Sequence, residues 1–358
     1  MRTKTAALIA LIAIVALLIV SLAAPAQSLP RGTRVQTYKS GLNFPVDIAW
    51  VRGTKKVFFT EKNTGKVRVM IGRRVLRRAC VDLSVNSAGE RGALGIALHP
   101  RFRKTHHLYV FYTNAQPLQN RVTKFTVRRN RCTRPRHIVR NLDASASGYH
   151  NGGQLEFAGG KLFVGTGEAH NPSWAQSTSS RLGKVLRYRA NGGIPSNNPF
   201  SGPQGRSPVW SYGHRNLFGL AHQPGTKRLY ATENGPSCDD ELNHIRRGRN
   251  YGWGPGYSCG SAGVGSRPKA PLFRWSSVVV PTDAAWYAGR MRRLSGSLYV
   301  GDFEDGRLHR FDLNSRGTRL RRHTVIFNAD SGILDVAKGP KGWLYLVTSS
   351  TIARIVPR

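Results

Sequence analysis

The sequence predicts an all-β protein, a six-bladed β-propeller of four-stranded antiparallel blades, and three observations carry that prediction. One pattern recurs along the chain: an apolar strand, a turn, a second strand ending near Tyr, Phe or Val, then Gly and a third alternating strand. Glycine is abundant, at 39 residues, which suits many tight turns between short strands. Beyond residue 30 no stretch shows the periodicity of a long amphipathic helix.

The six copies cover Asp47–Met70, Gly95–Val127, Gln154–Tyr188, Gly219–Ile245, Asp283–Leu313 and Ile333–Val356. A single four-stranded unit cannot cover both of its own faces, so such units stack around an axis until the ring closes. The spacing is too irregular for WD40 or kelch units. The alternative arrangement is a β-sandwich with an appended domain. Ser196–Ser207 and Gly254–Pro271 read as long loops, which in a propeller gather around the channel mouth. No linker divides the chain, so 30–358 reads as one propeller domain.

The first residues have a different character. Met1-Arg2-Thr3-Lys4 is a basic start, Thr5–Ala24 is almost wholly apolar, and Ala24-Pro25-Ala26 offers a small-x-small cleavage site. Residues 1–26 are therefore expected to be a signal peptide, with a retained membrane anchor as the alternative, because the apolar run can just span a bilayer. Both place the body of the protein outside the cytosol, secreted or extracytoplasmic. Four cysteines suit that compartment. The expected disulfides are Cys80–Cys132 and Cys238–Cys259, and no C-x-x-C spacing supports zinc.

Composition excludes some classes. Apolar content of 40% rules out global disorder. The formal net charge is +37, from 55 Lys+Arg against 18 Asp+Glu, so the surface attracts polyanions such as anionic cell-envelope polymers. The basic residues come in ones and twos without a nucleic-acid module, so no specific nucleic-acid partner is expected.

Four constellations could carry chemistry. His150, in the Gly-rich loop Tyr149–Gln154, has the residue type and turn setting of a general base. Glu168, closing Gly165-Thr166-Gly167-Glu168, is a carboxylate able to orient that imidazole. Arg215 and Asn216 could hold a developing oxyanion. Glu90, in Gly89-Glu90-Arg91-Gly92, sits where glycines let a ligand approach the backbone. The run Asp239-Asp240-Glu241 follows Gly235-Pro236, and hard oxygen donors with turn carbonyls suit calcium, although the spacing is not that of an EF-hand.

These residues lie in segments that resemble one family. GERGALGIALHPRF (Gly89–Phe102), HNGGQLEF (His150–Phe157), LGKVLRYRANGGIPSNNPF (Leu182–Phe200) and YGHRNLFGLAHQP through ENGP, DDELNHI and NYGW are similar to the glucose/sorbosone dehydrogenases. That family includes soluble quinoprotein glucose dehydrogenase and aldose sugar dehydrogenases. The resemblance implies a six-bladed propeller that binds pyrroloquinoline quinone (PQQ) and Ca²⁺ over the channel and oxidises a small-molecule sugar for an unknown electron acceptor. It implies that His150 takes the proton of the anomeric hydroxyl while hydride passes to the quinone, with Glu168 as the acid behind the base. Glu90 stands where several relatives have Gln. Arg215 and Asn216 would contact the quinone oxygen, the carbonyls of Gly235 and Pro236 would bind calcium, and Glu241 and Tyr251 match a further calcium motif. The family's cofactor-binding Lys and Arg of repeats five and six have no counterpart in Asp302-Phe303-Glu304-Asp305-Gly306 and Ser331-Gly332-Ile333-Leu334. Acids there would repel a tricarboxylate. The GDFEDGRL turn resembles propellers of the hedgehog-interacting type, so the alternative is a non-catalytic, calcium-stabilised propeller that binds carbohydrate or protein.

Overall fold

The computed structural model describes residues 29–202 and 205–358, so the expected leader at 1–26 lies outside the described residues. Within them the chain forms six antiparallel sheets around an axis, each a propeller blade. Blade one runs Pro45–Trp50, Lys56–Glu61, Lys66–Ile71 and Arg74–Val75, with Val81–Asp82 also pairing to its third strand. Blade two is Ala93–Leu98, His107–Asn114, Gln119–Arg128 and Arg131–Asp143. Blade three is Gly152–Ala158, Lys161–Thr166, Lys184–Arg189 and Val209–Tyr212, and blade four is Leu217–His222, Leu229–Glu233, Glu241–Ile245 and Phe273–Arg274. Blade five is Pro281–Tyr287, Ser297–Asp302, Arg307–Leu313 and Leu320–Asn328. Blade six takes Asp335–Lys338, Leu344–Val347 and Ile352–Pro357 from the end of the chain and its outermost strand, Thr33–Lys39, from the start.

That last pairing is the ring's closure. Thr33 lies opposite Pro357 and Thr37 opposite Ala353, so the two ends of the chain share one sheet. The sequence pattern stops one strand short of it, because Thr33–Lys39 has no neighbour in sequence to pair with. Ser196–Ser207 is also more than a loop, since Ser201–Gly202 and Gly205–Arg206 pair as a short hairpin.

The second strand of each blade packs on both faces, which explains its unbroken apolar runs. Val57, Phe58 and Phe59 are fully buried in blade one, as are Leu108–Phe111 in blade two. Cores form between blades: Tyr109 and Phe111 of blade two pack with Leu155, Leu162 and Val164 of blade three. Each such side chain contributes roughly 1.5–3 kcal/mol on burial.

The innermost strands touch one another around the axis. They are stitched by side chains that reach the next blade's backbone. Ile96 N–H donates to Asp47 at 2.7 Å, Ile48 N–H to Asp335 at 2.8 Å, and Leu220 N–H to Asp283 at 3.2 Å. Gly95 occupies the same layer, where a Cβ would clash with the Gly153 carbonyl oxygen. Every innermost strand except that of blade six shifts register near its start. These bulges lie at the strand entrances, where the candidate site is built.

Candidate active site at the channel mouth

His150 enters blade three in the left-handed region, at φ 56°. Its backbone is held from two sides: its N–H donates to Glu90 Oε2 at 2.8 Å and its carbonyl accepts from Ala169 N–H at 3.0 Å. The following Gly152 is required twice over, by φ 65° and because a Cβ would lie 2.6 Å from Thr166 Cα. So fixed, the imidazole sets Nδ1 at 2.5 Å from Glu168 Oε1. Glu168 is almost completely buried, and its Oε2 has no partner among the described residues. With Nδ1 committed to the carboxylate, Nε2 is the nitrogen left for a substrate proton.

Glu90 ties the group together. The same Oε2 that receives His150 N–H receives Asn216 Nδ2 at 3.0 Å, while Asn216 Oδ1 accepts from Gly152 N–H at 3.0 Å. Burial pushes the Glu90 carboxyl above its ordinary value, opposed by the Asn216 and His150 hydrogen bonds and by the nearby Arg215 charge. Glu168 N–H donates to the Arg215 carbonyl at 2.9 Å, so Glu90, His150, Glu168, Arg215 and Asn216 form one connected constellation. Sequence spacing had placed them in separate turns.

Arg215 is aimed at the calcium-candidate turn. One guanidinium nitrogen donates to the carbonyls of Asn234 at 3.0 Å and Gly235 at 2.6 Å, the guanidinium lies 5.3 Å from the Trp253 ring, and Nε has no partner among the described residues. Burial lowers its pKa, offset by the carboxylates of Glu168, Glu90, Glu233 and Asp240. Asn234 Oδ1 is likewise buried without a partner among the described residues.

The acidic run is neither a bare metal cluster nor an exposed turn. Asp240 accepts backbone N–H groups from Gly235, Val279 and Val280 at 2.8, 2.7 and 2.9 Å. Asp239 accepts from the Tyr257 hydroxyl and Gly260 N–H. Glu241 pairs with Arg274 at 3.2 Å and accepts from Asn243 at 3.0 Å. The Tyr251 hydroxyl donates to the His244 carbonyl and accepts from Arg246 N–H. The side-chain oxygens of Glu241 and Tyr251 are thus committed to protein partners. Gly235 and Pro236 form the tight turn that Asp240 holds, with Pro236 exposed. Both expected disulfides, Cys80–Cys132 and Cys238–Cys259, are present.

Beside the constellation opens a cavity of about 400 Å³ that Glu90, Tyr149 and Gly152 line. Its walls come from all six blades and are mostly apolar, including Phe44, Leu94, Phe218, Phe303 and Leu334. Lys62 is its one lining cation among the described residues. The acids of the fifth-repeat turn do not form this wall: Asp302 points inward to His309 at 2.8 Å, and Asp305 pairs with Arg307 at 2.7 Å. From that turn it is Phe303 that lines the cavity.

Sequence reasoning missed four neighbours: the pair His214 and Glu233, then His170, then Lys62. His214 and Glu233 form a second imidazole–carboxylate pair at 2.8 Å, and the other Glu233 oxygen accepts Arg215 N–H at 2.6 Å. His170 packs edge-on against His150 at 4.0 Å and stacks on Tyr149. Lys62 lies in an unremarkable TEKNTG turn. The only signal for His214 and His170 was proximity in sequence to Arg215 and Glu168.

The described residues thus form a six-bladed propeller closed around an axis, with an imidazole–carboxylate pair at its mouth. The glucose / sorbosone dehydrogenase family profile matches residues 42–357, and the chain belongs to that family. It is 28% identical to the aldose sugar dehydrogenase YliI of Escherichia coli over 75% of this chain and 78% of that protein. Among solved structures, a putative glucose dehydrogenase of Thermus thermophilus superposes with TM-score 0.81 at 33% identity, covering 91% of this chain and all of that one. The PQQ-bound aldose sugar dehydrogenase of Streptomyces coelicolor gives TM-score 0.78 at 28% identity, covering 92% of this chain and 99% of that one.

Proposed function

We propose that this chain is an exported, PQQ- and Ca²⁺-dependent sugar dehydrogenase that oxidises an aldose at its anomeric carbon. The observation that carries the reading is the connected set of Glu90, His150, Glu168, Arg215 and Asn216 beside a mouth cavity. The residues present fit the cofactor at its quinone end: Arg215 Nε is a buried donor that lacks a partner among the described residues. Arg215 and Asn216 would hold the quinone, the Pro236 carbonyl would meet Ca²⁺, and the Gly235 carbonyl would join it once Arg215, which donates to it in this structure, is drawn to the quinone. Lys62 would face a carboxylate. When bound, PQQ supplies a two-electron acceptor for the hydride that leaves the sugar.

The protein's own share of the chemistry is proton handling and orientation. His150 Nε2 accepts the anomeric hydroxyl proton, and the sugar leaves as a lactone after loss of that proton and a hydride. Glu168 stabilises the imidazolium by charge-assisted hydrogen bonding to Nδ1. Glu90 holds both the base and Asn216 by one oxygen, so their spacing is set before substrate arrives.

Reconstitution tests this directly. The purified chain, given PQQ and Ca²⁺, should reduce a dye with a panel of aldoses. No dye reduction together with no PQQ binding at high micromolar cofactor would overturn the proposal. The apolar wall of Phe303 and Leu334 favours the second reading, a non-catalytic propeller that binds carbohydrate or protein at the same mouth.

A further inference from the structure

In a chain of 55 basic and 18 acidic residues, scattered surface cations are expected everywhere. One surface differs from that background. The Cys80–Cys132 disulfide joins the outer edge of blade one to the outer edge of blade two across 52 residues of sequence. It is reinforced by Cys132 N–H donating to the Cys80 carbonyl at 2.8 Å and by Arg131 donating to the Ala79 carbonyl at 3.1 Å. The two segments so clamped read RRVLRRACVD (Arg73–Asp82) and RRNRCTRPR (Arg128–Arg136), among the densest arginine runs in the chain.

The backbone of the second segment is shaped to present these residues. Arg129 and Asn130 make the hairpin turn in the left-handed region, at φ 47° and 67°. A register shift between Thr133 and Arg136, with Arg134 at φ 51°, breaks the strand's alternation. As a result Arg134, Pro135, Arg136 and His137 are exposed in succession, where a regular strand would turn every second side chain inward. Across the clamp, Arg77 and Arg78 are exposed too. Between the segments lies a hollow of about 360 Å³ lined by Lys66, Arg68, Arg77, Arg78 and Arg131, with Asp82 as its one carboxylate. Arg68 is occupied by Glu61, but none of the exposed arginines forms an ion pair among the described residues.

We propose that this clamped arginine edge is a docking surface for an anionic cell-envelope polymer, one carrying closely repeated phosphate or carboxylate groups. Arginine's planar fork binds both groups in bidentate fashion, and its guanidinium is less strongly hydrated than lysine's ammonium. A hollow lined by Arg77 and Arg78 from one segment and Arg131 from the other gives successive charges of a polymer more than one simultaneous contact. Nucleic acid is disfavoured on two grounds. Neither segment contains Phe, Tyr or Trp on which a base could stack, and the disulfide belongs to an oxidising compartment. The surface lies on the outer rim of the ring, away from the axial cavity, so docking would leave the mouth open.

The test compares two variants of equal net charge. One carries Arg77→Ser, Arg78→Ser, Arg129→Asn and Arg134→Asn, which spares Arg131 and keeps residues that tolerate a left-handed backbone at the two strained positions. The control carries Arg292→Ser, Arg316→Ser, Arg319→Ser and Arg321→Ser, all exposed on blade five. Binding to linear polyphosphate and to polygalacturonate is measured at several salt concentrations. The rim variant should lose about tenfold or more in affinity and flatten the salt dependence, while the control stays within about twofold. The two polymers separate phosphate from carboxylate recognition. Equal losses in both variants would assign the effect to net charge and overturn the proposal, as would unchanged binding in both. Tighter binding of the unsubstituted chain to single-stranded DNA of matched charge would overturn the choice of partner. Melting temperatures within a few degrees of the parent confirm that the variants fold.

Discussion

At His150 a single backbone angle decides what the residue can do. A histidine in an extended strand entry would alternate in or out of the sheet; at φ 56°, braced by Glu90 and Ala169, it turns its ring onto Glu168. Replacing His150 with Ala should lower kcat by about 10²–10⁴-fold in the reconstituted enzyme while PQQ affinity changes little. A turnover number equal to the parent's would remove it as the base. Lys62 makes the complementary prediction for binding. As the cavity's one lining cation among the described residues, it should hold a cofactor carboxylate, so Lys62→Met should weaken PQQ binding about tenfold by equilibrium titration, and Phe303→Lys should restore it. Equal affinity in parent and Lys62→Met would show that the carboxylates are held elsewhere.

The stretch that most constrains the site runs from Gly235 to Val280, through the turns around the last two strands of blade four. Its local sequence advertises acid and glycine, and the obvious chemistry for three adjacent carboxylates is a metal. The fold spends them differently, because a long excursion between strands leaves backbone N–H groups that need acceptors. Asp240 supplies one carboxylate to three of them, joining the Gly235 turn to the strand entry of blade five. Asp240→Ala should therefore cost roughly 3 kcal/mol or more, visible in urea unfolding, since several buried donors lose their partner at once. Removing the Cys238–Cys259 bridge by a double Ser substitution should cost about 3 kcal/mol and loosen the same turn. If Gly235 and Pro236 hold Ca²⁺, a chelator should lower the melting temperature of the parent, and less so that of the double Ser variant. An unchanged melt after verified metal removal would count against a calcium site at the turn.

At the scale of the molecule, three aspartates hold the axis. Asp47, Asp283 and Asp335 lie together, buried, each accepting an N–H from a neighbouring blade. Burial raises all three, with Asp283 pushed up to about 6. A carboxyl raised in the folded state holds its proton more tightly than in the unfolded chain. Its stabilising contribution is full below the unfolded value near 4 and is lost as pH rises through about 6. Asp283→Asn keeps an oxygen for Leu220 N–H without the charge. Relative to the parent it should become more stable between about pH 4.5 and 8, by on the order of 1–3 kcal/mol. A pH-independent difference between the two would refute the linkage.

Much of this protein was legible in its sequence because its signals are local. Strand, turn and glycine recur six times, and that periodicity alone sets the blade count and places each inner strand to within a few residues. The Cys238–Cys259 pairing is likewise local, whereas Cys80 and Cys132 meet from two different blades, and the segments that carry His150, Glu168, Arg215 and Asn216 are recognisable as short motifs. What needed the tertiary structure is whatever depends on residues far apart in sequence. Thr33–Lys39 joins blade six only because the ring brings both chain ends together. Glu90 braces a histidine 60 residues away, and Lys62 and Phe303 meet the same cavity from blades one and five. The acidic run shows the reason most plainly. Charge can be counted along a chain, but whether a carboxylate is free for a metal is decided by which backbone groups the fold leaves without partners.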